Sequence, residues 1–290
     1  MEYFLALTTS GIAVGVLYGM LGMAYAVIYK STGVVNFAQG EVMMLTAYTA
    51  YAIASLWDVG FWTLLISVTI IAIFVGLFIE FVFIRPMLGQ EVFSIVMVTI
   101  GLAVAIRAIV VMIWDADPIP FPSGLPGDTV SVLGVGMYKS QVYSIIVFLA
   151  LVFIMWVFLR FSRIGIAMRA TANLQTTALL MGINVKRVFA IAWGLSAMIS
   201  AVAGIFIASV QDLMPDMWFN GLKAFPAVIV GGLDSVFGAA LGGIIIGLVE
   251  NYAEGYIGFN LKEIAGFIVI LIVLMIRPYG LFGKEEIERV

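Results

Sequence analysis

Long apolar stretches broken by brief polar intervals dominate the chain. Charge-free runs cover Tyr3 to Tyr29, Val42 to Trp57, Val59 to Ile79, Ser140 to Leu159 and Val188 to Gln211, and Val92 to Trp114 is interrupted only by Arg107. A helix needs about 20 apolar residues to cross the hydrocarbon core of a membrane, so these lengths predict crossing helices. A seventh run, Ile264 to Ile276, is short and is expected to borrow residues on either side. The runs are continuously apolar rather than alternating, which selects helices over barrel strands. Residues 222–257 fit the pattern less well. Ala224 to Leu233 is too short to cross, Ser235 to Val249 is nearly long enough, and Gly231, Gly232, Gly238, Gly242, Gly243 and Gly247 crowd the zone. Two short helices and a re-entrant hairpin both fit. The expected fold is an all-α polytopic helix bundle: seven clear spans plus a short or re-entrant pair at 222–257, eight or nine in all. No loop is large enough for a soluble domain, so 1–290 reads as one membrane domain.

Composition narrows the function. Hydrophobic residues make up 63% of the 290 and charged ones 11%, against about 25% charged in soluble domains. A chain of this length cannot hide so much apolar surface from water, which excludes a soluble enzyme, a DNA-binding protein and a disordered linker. There is no Cys and no His. That removes disulfides, thiolate metal sites, Ser-His-Asp and Cys-His catalysis and His-based zinc proteases, including a rhomboid-like protease. The nearest approach to the GxGD of a presenilin-like protease is Gly231-Gly232-Leu233-Asp234, with the wrong spacing. The net charge of −3 is spread out, with no basic patch for nucleic acid. Met1-Glu2-Tyr3 lacks the positive start of a signal peptide, so the first apolar run is expected to stay as a membrane helix.

Lys and Arg concentrate in cytoplasmic loops. With the N-terminus outside and an even number of passes in 222–257, Lys30, Arg85, Arg160, Arg163, Arg169, Lys186, Arg187, Arg277, Lys284 and Arg289 face the cytoplasm. Lys139, Lys223 and Lys262 lie outside, and Arg107 lies in the membrane. This topology puts the C-terminus inside, makes 115–137 (with Pro118, Pro120, Pro122 and Pro126) the main external loop, and makes 160–187 the largest internal one.

Several features bear on chemistry. Gly11, Gly15 and Gly19 recur every four residues, as do Gly238/Gly242 and Gly243/Gly247; small residues at that spacing let helix backbones approach. The segment Gly33 to Glu41 (GVVNFAQGE) is too apolar for an exposed loop and too polar for a plain helix. A break at membrane depth is tolerated where it is buried in protein or lines a cavity. The zone Phe225 to Gly247 mirrors it, and Ala38-Gln39-Gly40 resembles Ala240-Leu241-Gly242. Paired broken segments point to a substrate path in transporters; two tight turns are the plain alternative. Arg107 is a costly intramembrane charge, with Glu41, Glu80 or Glu250 as potential partners, or else it snorkels outward past Trp114. Glu250, close to Tyr252, reads as solvated. In the internal loop, Ala170 to Met181 reads as a short helix with Leu174, Ala178 and Met181 on one face and Gly182 as its C-terminal cap. No GxxxxGK[ST] is present, so any ATPase must be a separate chain.

These residues carry a resemblance. Tyr25-Ala26 to Tyr29 leading into Gly33–Glu41, Arg85-Pro86 followed by Thr99-Ile100-Gly101-Leu102, Gly165 to Ala172 with Leu180 to Asn184, Gly221 to Phe225 with Gly231-Gly232, and Arg277 to Gly283 recur in order. In this the chain resembles, almost end to end, the LivH-type permease subunits of ABC importers for branched-chain amino acids. The resemblance implies a non-catalytic subunit of a prokaryotic inner-membrane importer. It pairs with a LivM-like second permease and two ATPase subunits that bind ATP and Mg, and an extracytoplasmic binding protein delivers the solute. No cofactor is expected on this chain. The implied path residues are Asn36, Phe37, Gln39, Gly40, Glu41, Thr99, Lys223, Phe225, Gly231 and Gly232. The implied coupling residues are Arg169, Ala170, Asn173, Leu174, Ala178, Met181 and Gly182. Two positions depart from the family. Thr176 stands where the coupling motif has its leading Glu, which argues against acidic pairing and leaves apolar docking. Gln39 stands where His is common; Gln hydrogen-bonds but does not change charge near neutral pH. The expected mechanism is alternating access. Urea or short amides are alternative solutes within the family, and an ion-coupled secondary transporter or channel acting alone is the alternative class.

Overall fold

Each apolar run of the sequence becomes a helix, and two further helices, one short and one long, emerge from the glycine-rich zone. The computed structural model describes residues 2–122, 128–132, 135–173, 175–258 and 261–283. Its helices are α1 (Glu2–Thr32), α2 (Gln39–Leu56), α3 (Phe61–Ile79), α4 (Val92–Trp114), α5 (Lys139–Phe161), α6 (Arg163–Asn173), α7 (Gln175–Leu180), α8 (Val185–Val210), α9 (Phe219–Lys223), α10 (Phe225–Gly231), α11 (Val236–Tyr256) and α12 (Lys262–Ile276). α3 runs on through a π-helical turn at Glu80–Ile84 into a 3-10 turn at Arg85–Met87. Glu80 and Arg85 clasp that turn through two hydrogen bonds, 3.1 and 2.8 Å. The stretch between α4 and α5, for which the sequence pattern predicts no element, holds a small antiparallel hairpin, β1 (Thr129–Val132) with β2 (Val135–Tyr138).

Among the described residues six helices are long and apolar enough to cross a membrane: α1, α3 with its extension, α4, α5, α8 and α11. The set differs from the sequence expectation in two ways. α11 is a full-length helix of 21 residues, whereas 235–249 alone is barely sufficient; the helix gains its last turns from Glu250 to Tyr256. α2 and α12 are shorter, at 18 and 15 residues.

α1 and α8 form the centre, with 83% and 78% of their apolar windows buried, against 28% for α4 and α5. α1 and α11 lie antiparallel with backbones in contact. A Cβ on Gly15 would come to 2.8 Å from the Ile244 Cα, and Gly243 and Gly247 sit directly against Gly19 and Gly15. The stripe Gly11/Gly15/Gly19 and the pair Gly243/Gly247 are thus the two halves of one interface, the close approach that small residues permit. Gly238 and Gly242 face the other way, against Gly231 and Ala227 of α10.

These pairings define two ends of the bundle. At one, the Tyr3 hydroxyl donates to the Gly255 carbonyl at 2.8 Å and Ile119 bridges Leu213. At the other, Lys30 Nζ donates to the Asp234 carbonyl at 2.7 Å, and Leu281 N–H donates to the Val230 carbonyl at 2.8 Å. Between Leu213 and Asp234 the chain therefore traverses the bundle in pieces: a 3-10 turn (Pro215–Trp218), α9 and α10. Counting that broken passage, the described residues make nine traverses. The real break lies at 215–232. The Ala240-Leu241-Gly242 motif, expected to mirror Ala38-Gln39-Gly40, sits inside the unbroken α11.

Candidate functional site

The segment between α1 and α2 turns back into the bundle because its polar groups find partners there. The Asn36 side chain accepts from Ala38 N–H at 3.0 Å and donates to Gln39 Oε1 at 2.8 Å. Gln39 Nε2 donates to Ser200, and the Ser196 hydroxyl lies 3.1 Å from Gln39 Oε1 and 2.8 Å from the Ala24 carbonyl. Thr99 of α4 accepts from Phe37 N–H at 3.2 Å. All these side chains except Phe37 are buried, so the break is a satisfied polar knot. It starts α2 at the level of Ser196 and Ser200, midway along α8. Gly40 then packs on the Trp218 carbonyl and the Gly221 Cα, leaving no room for a Cβ. The first turn of α2 thereby meets the broken passage.

Where they meet lies a cleft of about 190 Å³, lined by Tyr25, Phe37, Gly40, Glu41, Ile100, Ala103, Val104, Arg107, Trp218, Leu222 and Phe225. Its mouth is apolar: Phe37, Val104 and Leu222 are 43%, 61% and 43% exposed. Its floor holds an ion pair. Arg107 Nη2 lies 2.5 Å from Glu41 Oε1, with the Glu41 side chain 3% exposed and that of Arg107 35%. The guanidinium carbon stands 3.7 Å over the Trp218 ring, close range for a cation–π contact. Arg107 Nε is buried with no hydrogen-bond partner among the described residues. Of the partners considered for Arg107, Glu41 is therefore the one it takes. Glu80 belongs to Arg85. Glu250, expected to be solvated, is 4% exposed and accepts from the Tyr18 hydroxyl at 3.1 Å. The correction follows from α11 running past residue 249, which leaves Glu250 inside the α1–α11 contact.

The residues expected on the path divide. Phe37, Gly40, Glu41 and Phe225 line the cleft. Asn36, Gln39 and Thr99 lie behind it and hold Phe37 and α2 in position. Lys223 is on α9 with its ammonium 5.2 Å from the Phe219 ring. Gly231 and Gly232 stand apart, at the Lys30 end. There Gly232 takes φ +103, which only glycine adopts without strain, against the C-terminal turn at Tyr279–Gly283. Tyr25, Ile100, Ala103, Val104, Trp218 and Leu222 were missed as lining residues. For α4 the signal was present: 100, 103, 104 and 107 share one helical face.

The loop 160–187 also departs from expectation in detail. Its helical part begins at Arg163, not Ala170. Arg169 turns inward and donates to the Leu159 carbonyl at the end of α5. Gly182, at φ +81, occupies the position after the helix: its N–H donates to Leu179 O at 3.0 Å, and Ile183 N–H to Ala178 O at 3.0 Å, the two bonds of a Schellman cap. Ala178 is buried at 4%, while Leu179, Leu180 and Met181 are 57%, 88% and 78% exposed. The expected shared face of Ala178 and Met181 is therefore not formed; the exposed apolar edge is the run 179–181. Ala170 is half-buried. Leu174 and the side chain of Asn173 lie outside what the structure describes, as do Lys284 and Arg289.

Comparison with known proteins gives a consistent result. The family model described as branched-chain amino acid transport system / permease component matches residues 7–276. The high-affinity branched-chain amino acid transport system permease protein LivH of Escherichia coli K12 is 31% identical, over 99% of this chain and 98% of its own length. BraD of Pseudomonas aeruginosa, described in the same words, is 30% identical over the same shares. A probable LivH of Methanocaldococcus jannaschii is 25% identical over 92% of this chain and 88% of its own. No solved structure matches. A multi-pass helical bundle, a break that carries α2 into its middle, and a family pattern that runs nearly the whole length together assign the chain to the permease components of branched-chain amino acid transport systems.

Proposed function

We propose that this chain is one permease subunit of an ATP-driven importer and forms half of the path for branched-chain or similar hydrophobic amino acids. The observation that carries the reading is the cleft at mid-bundle, where two broken segments meet. Irregular backbone at that depth is tolerated where it lines a cavity, and such breaks border substrate sites in transporters. The relatives' names supply the solute class. A second permease would close the open mouth at Phe37, Val104 and Leu222.

The end that gathers Lys30, Arg85, Arg160, Arg163, Arg169, Lys186, Arg187 and Arg277 is the cytoplasmic one in this reading, which puts the N-terminus outside. Two ATPase subunits dock there on Leu179, Leu180 and Met181, and a binding protein delivers solute at the opposite end. ATP binding and hydrolysis on those partners shift α6–α7. Arg169 and Gly165, both packed on the end of α5, transmit the shift to the bundle, and the path opens to one side at a time.

Expressing the chain with its neighbouring reading frames, with a tag on this subunit alone, tests the assembly. Recovery of ATPase subunits whose activity rises with solute-loaded binding protein is the expected result. A chain that purifies alone, with no ATPase, contradicts it.

A further inference from the structure

We propose that Glu41 and Arg107 form a docking site for the zwitterionic head of an α-amino acid. The Arg107 guanidinium takes the carboxylate, the Glu41 carboxylate takes the ammonium, and the aliphatic side chain lies along Ile100, Ala103 and Val104. This rests on the reading of the chain as an amino-acid permease and names the chemistry by which its path holds the solute.

Four observations converge. Glu41 and Arg107 are the two charged side chains lining the cleft, of opposite sign and 2.5 Å apart. An α-amino acid carries the complementary pair on adjacent atoms. Second, Arg107 commits Nη2 to Glu41 and leaves Nε without a partner among the described residues. A guanidinium presents a fork of donors that a carboxylate fills two at a time, so the unmet donor matches what the solute brings. Third, the guanidinium carbon of Arg107 stands 3.7 Å over the Trp218 ring, a contact that holds the group in place without using its donors. Fourth, the walls are hydrocarbon and the volume of about 190 Å³ is small, below the roughly 300–1,000 Å³ of sites for drug-sized ligands.

The exchange is balanced electrostatically. Stripping one partner from a buried ion pair is costly because the other is left alone. A zwitterion gives each charge a new partner as it separates them, so neither is left unpaired. Urea and simple amides carry neither charge and leave the internal pair in place. The same pair thus closes the empty site and selects among solutes.

The test uses the permease assembly with its ATPases, purified without the solute-binding protein. Equilibrium binding of radiolabelled leucine is measured with unlabelled leucine, leucinamide (no carboxylate) and 4-methylpentanoate (no ammonium) as competitors. Leucine should compete at least tenfold better than either analogue. In E41Q/R107M, which removes both charges together so that neither is stranded, leucine binding should weaken at least tenfold and the preference should vanish. An elution profile like the wild type's, with every subunit present in it, certifies the assembly. Should that variant fail to assemble, R107K keeps the charge and loses the fork, and is expected to weaken leucine binding several-fold. Wild-type binding and preference in the variant tested would overturn the proposal. So would a wild-type assembly that does not bind leucine or does not prefer it. ATP-driven leucine uptake by the complete wild-type system, run alongside, separates the two readings. Its absence would sink the proposed function, whereas uptake with unaltered discrimination in the variant would sink the site alone.

Discussion

Gln39 joins the re-entering segment to α8 with one side-chain amide: Asn36, Ser196 and Ser200 all hydrogen-bond to it. A buried polar group left without its partner costs about 1–3 kcal/mol. Gln39→Leu keeps much of the bulk and strands the Asn36 amide N–H and the Ser200 hydroxyl at once, while Ser196 keeps its bond to the Ala24 carbonyl. It should lower the thermal unfolding midpoint of the detergent-purified protein measurably and cut transport, while Gln39→Asn should fall between it and the wild type. Equal midpoints for the Gln39→Leu variant and the wild type would show that the knot does not hold the break in place. Little of this was legible beforehand. The sequence marks Asn36 to Glu41 as unusual because polar residues interrupt an apolar run. It does not say which of them faces the cleft and which faces α8, because that depends on the rotation of α2. Arg107 stands out in the same way as a charge within a span; its choice of Glu41 over Glu80 or Glu250 is set by the packing of α4 on α2.

Two elements illustrate what pattern reading resolves. The cap at Gly182 was readable, since a glycine after an Ala- and Leu-rich run signals a left-handed helix end. The residue indeed sits at φ +81 with both cap bonds formed. Gly182→Pro fixes φ near −65° and removes the N–H that bonds Leu179. The exposed edge 179–181 should lose its shape while the bundle stays folded. The expected outcome is uncoupling: uptake falls at least tenfold, while the yield and elution profile of the membrane protein stay as in the wild type. Normal uptake by this variant would remove α6–α7 from the coupling role. Residues 222–257 were the opposite case. Glycine spacing announced close packing, but the residues that α1 meets on α11 are more than 200 positions away in sequence. Periodicity sees one helix at a time, and so could not tell the α1-facing pair Gly243/Gly247 from the α10-facing pair Gly238/Gly242.

At the scale of the whole molecule, the apolar runs and the basic residues carried most of the architecture. The seven clear apolar runs, each of which becomes a helix, follow directly from the sequence. The eight or nine crossings expected become nine, and the choice could not be made from the sequence because the broken passage at 215–232 has no helix long enough to register by itself. The orientation built on this layout can be checked without background, since the chain has no cysteine. A single cysteine at exposed Lys186 should react with a membrane-impermeant maleimide only after the cells are opened, and one at exposed Asp117 should react in intact cells. The reverse pattern would invert the molecule, and labelling of both in intact cells would contradict the traverse count between them.

The most direct test of the central claim is solute uptake into liposomes holding the complete assembly: this chain, its permease partner, the two ATPases and the binding protein. A labelled branched-chain amino acid should accumulate when ATP is supplied on the side of the ATPases. Accumulation should stop when a non-hydrolysable ATP analogue replaces ATP, and an imposed proton or sodium gradient should not restore it. Uptake that follows the ion gradient and ignores ATP would contradict the account.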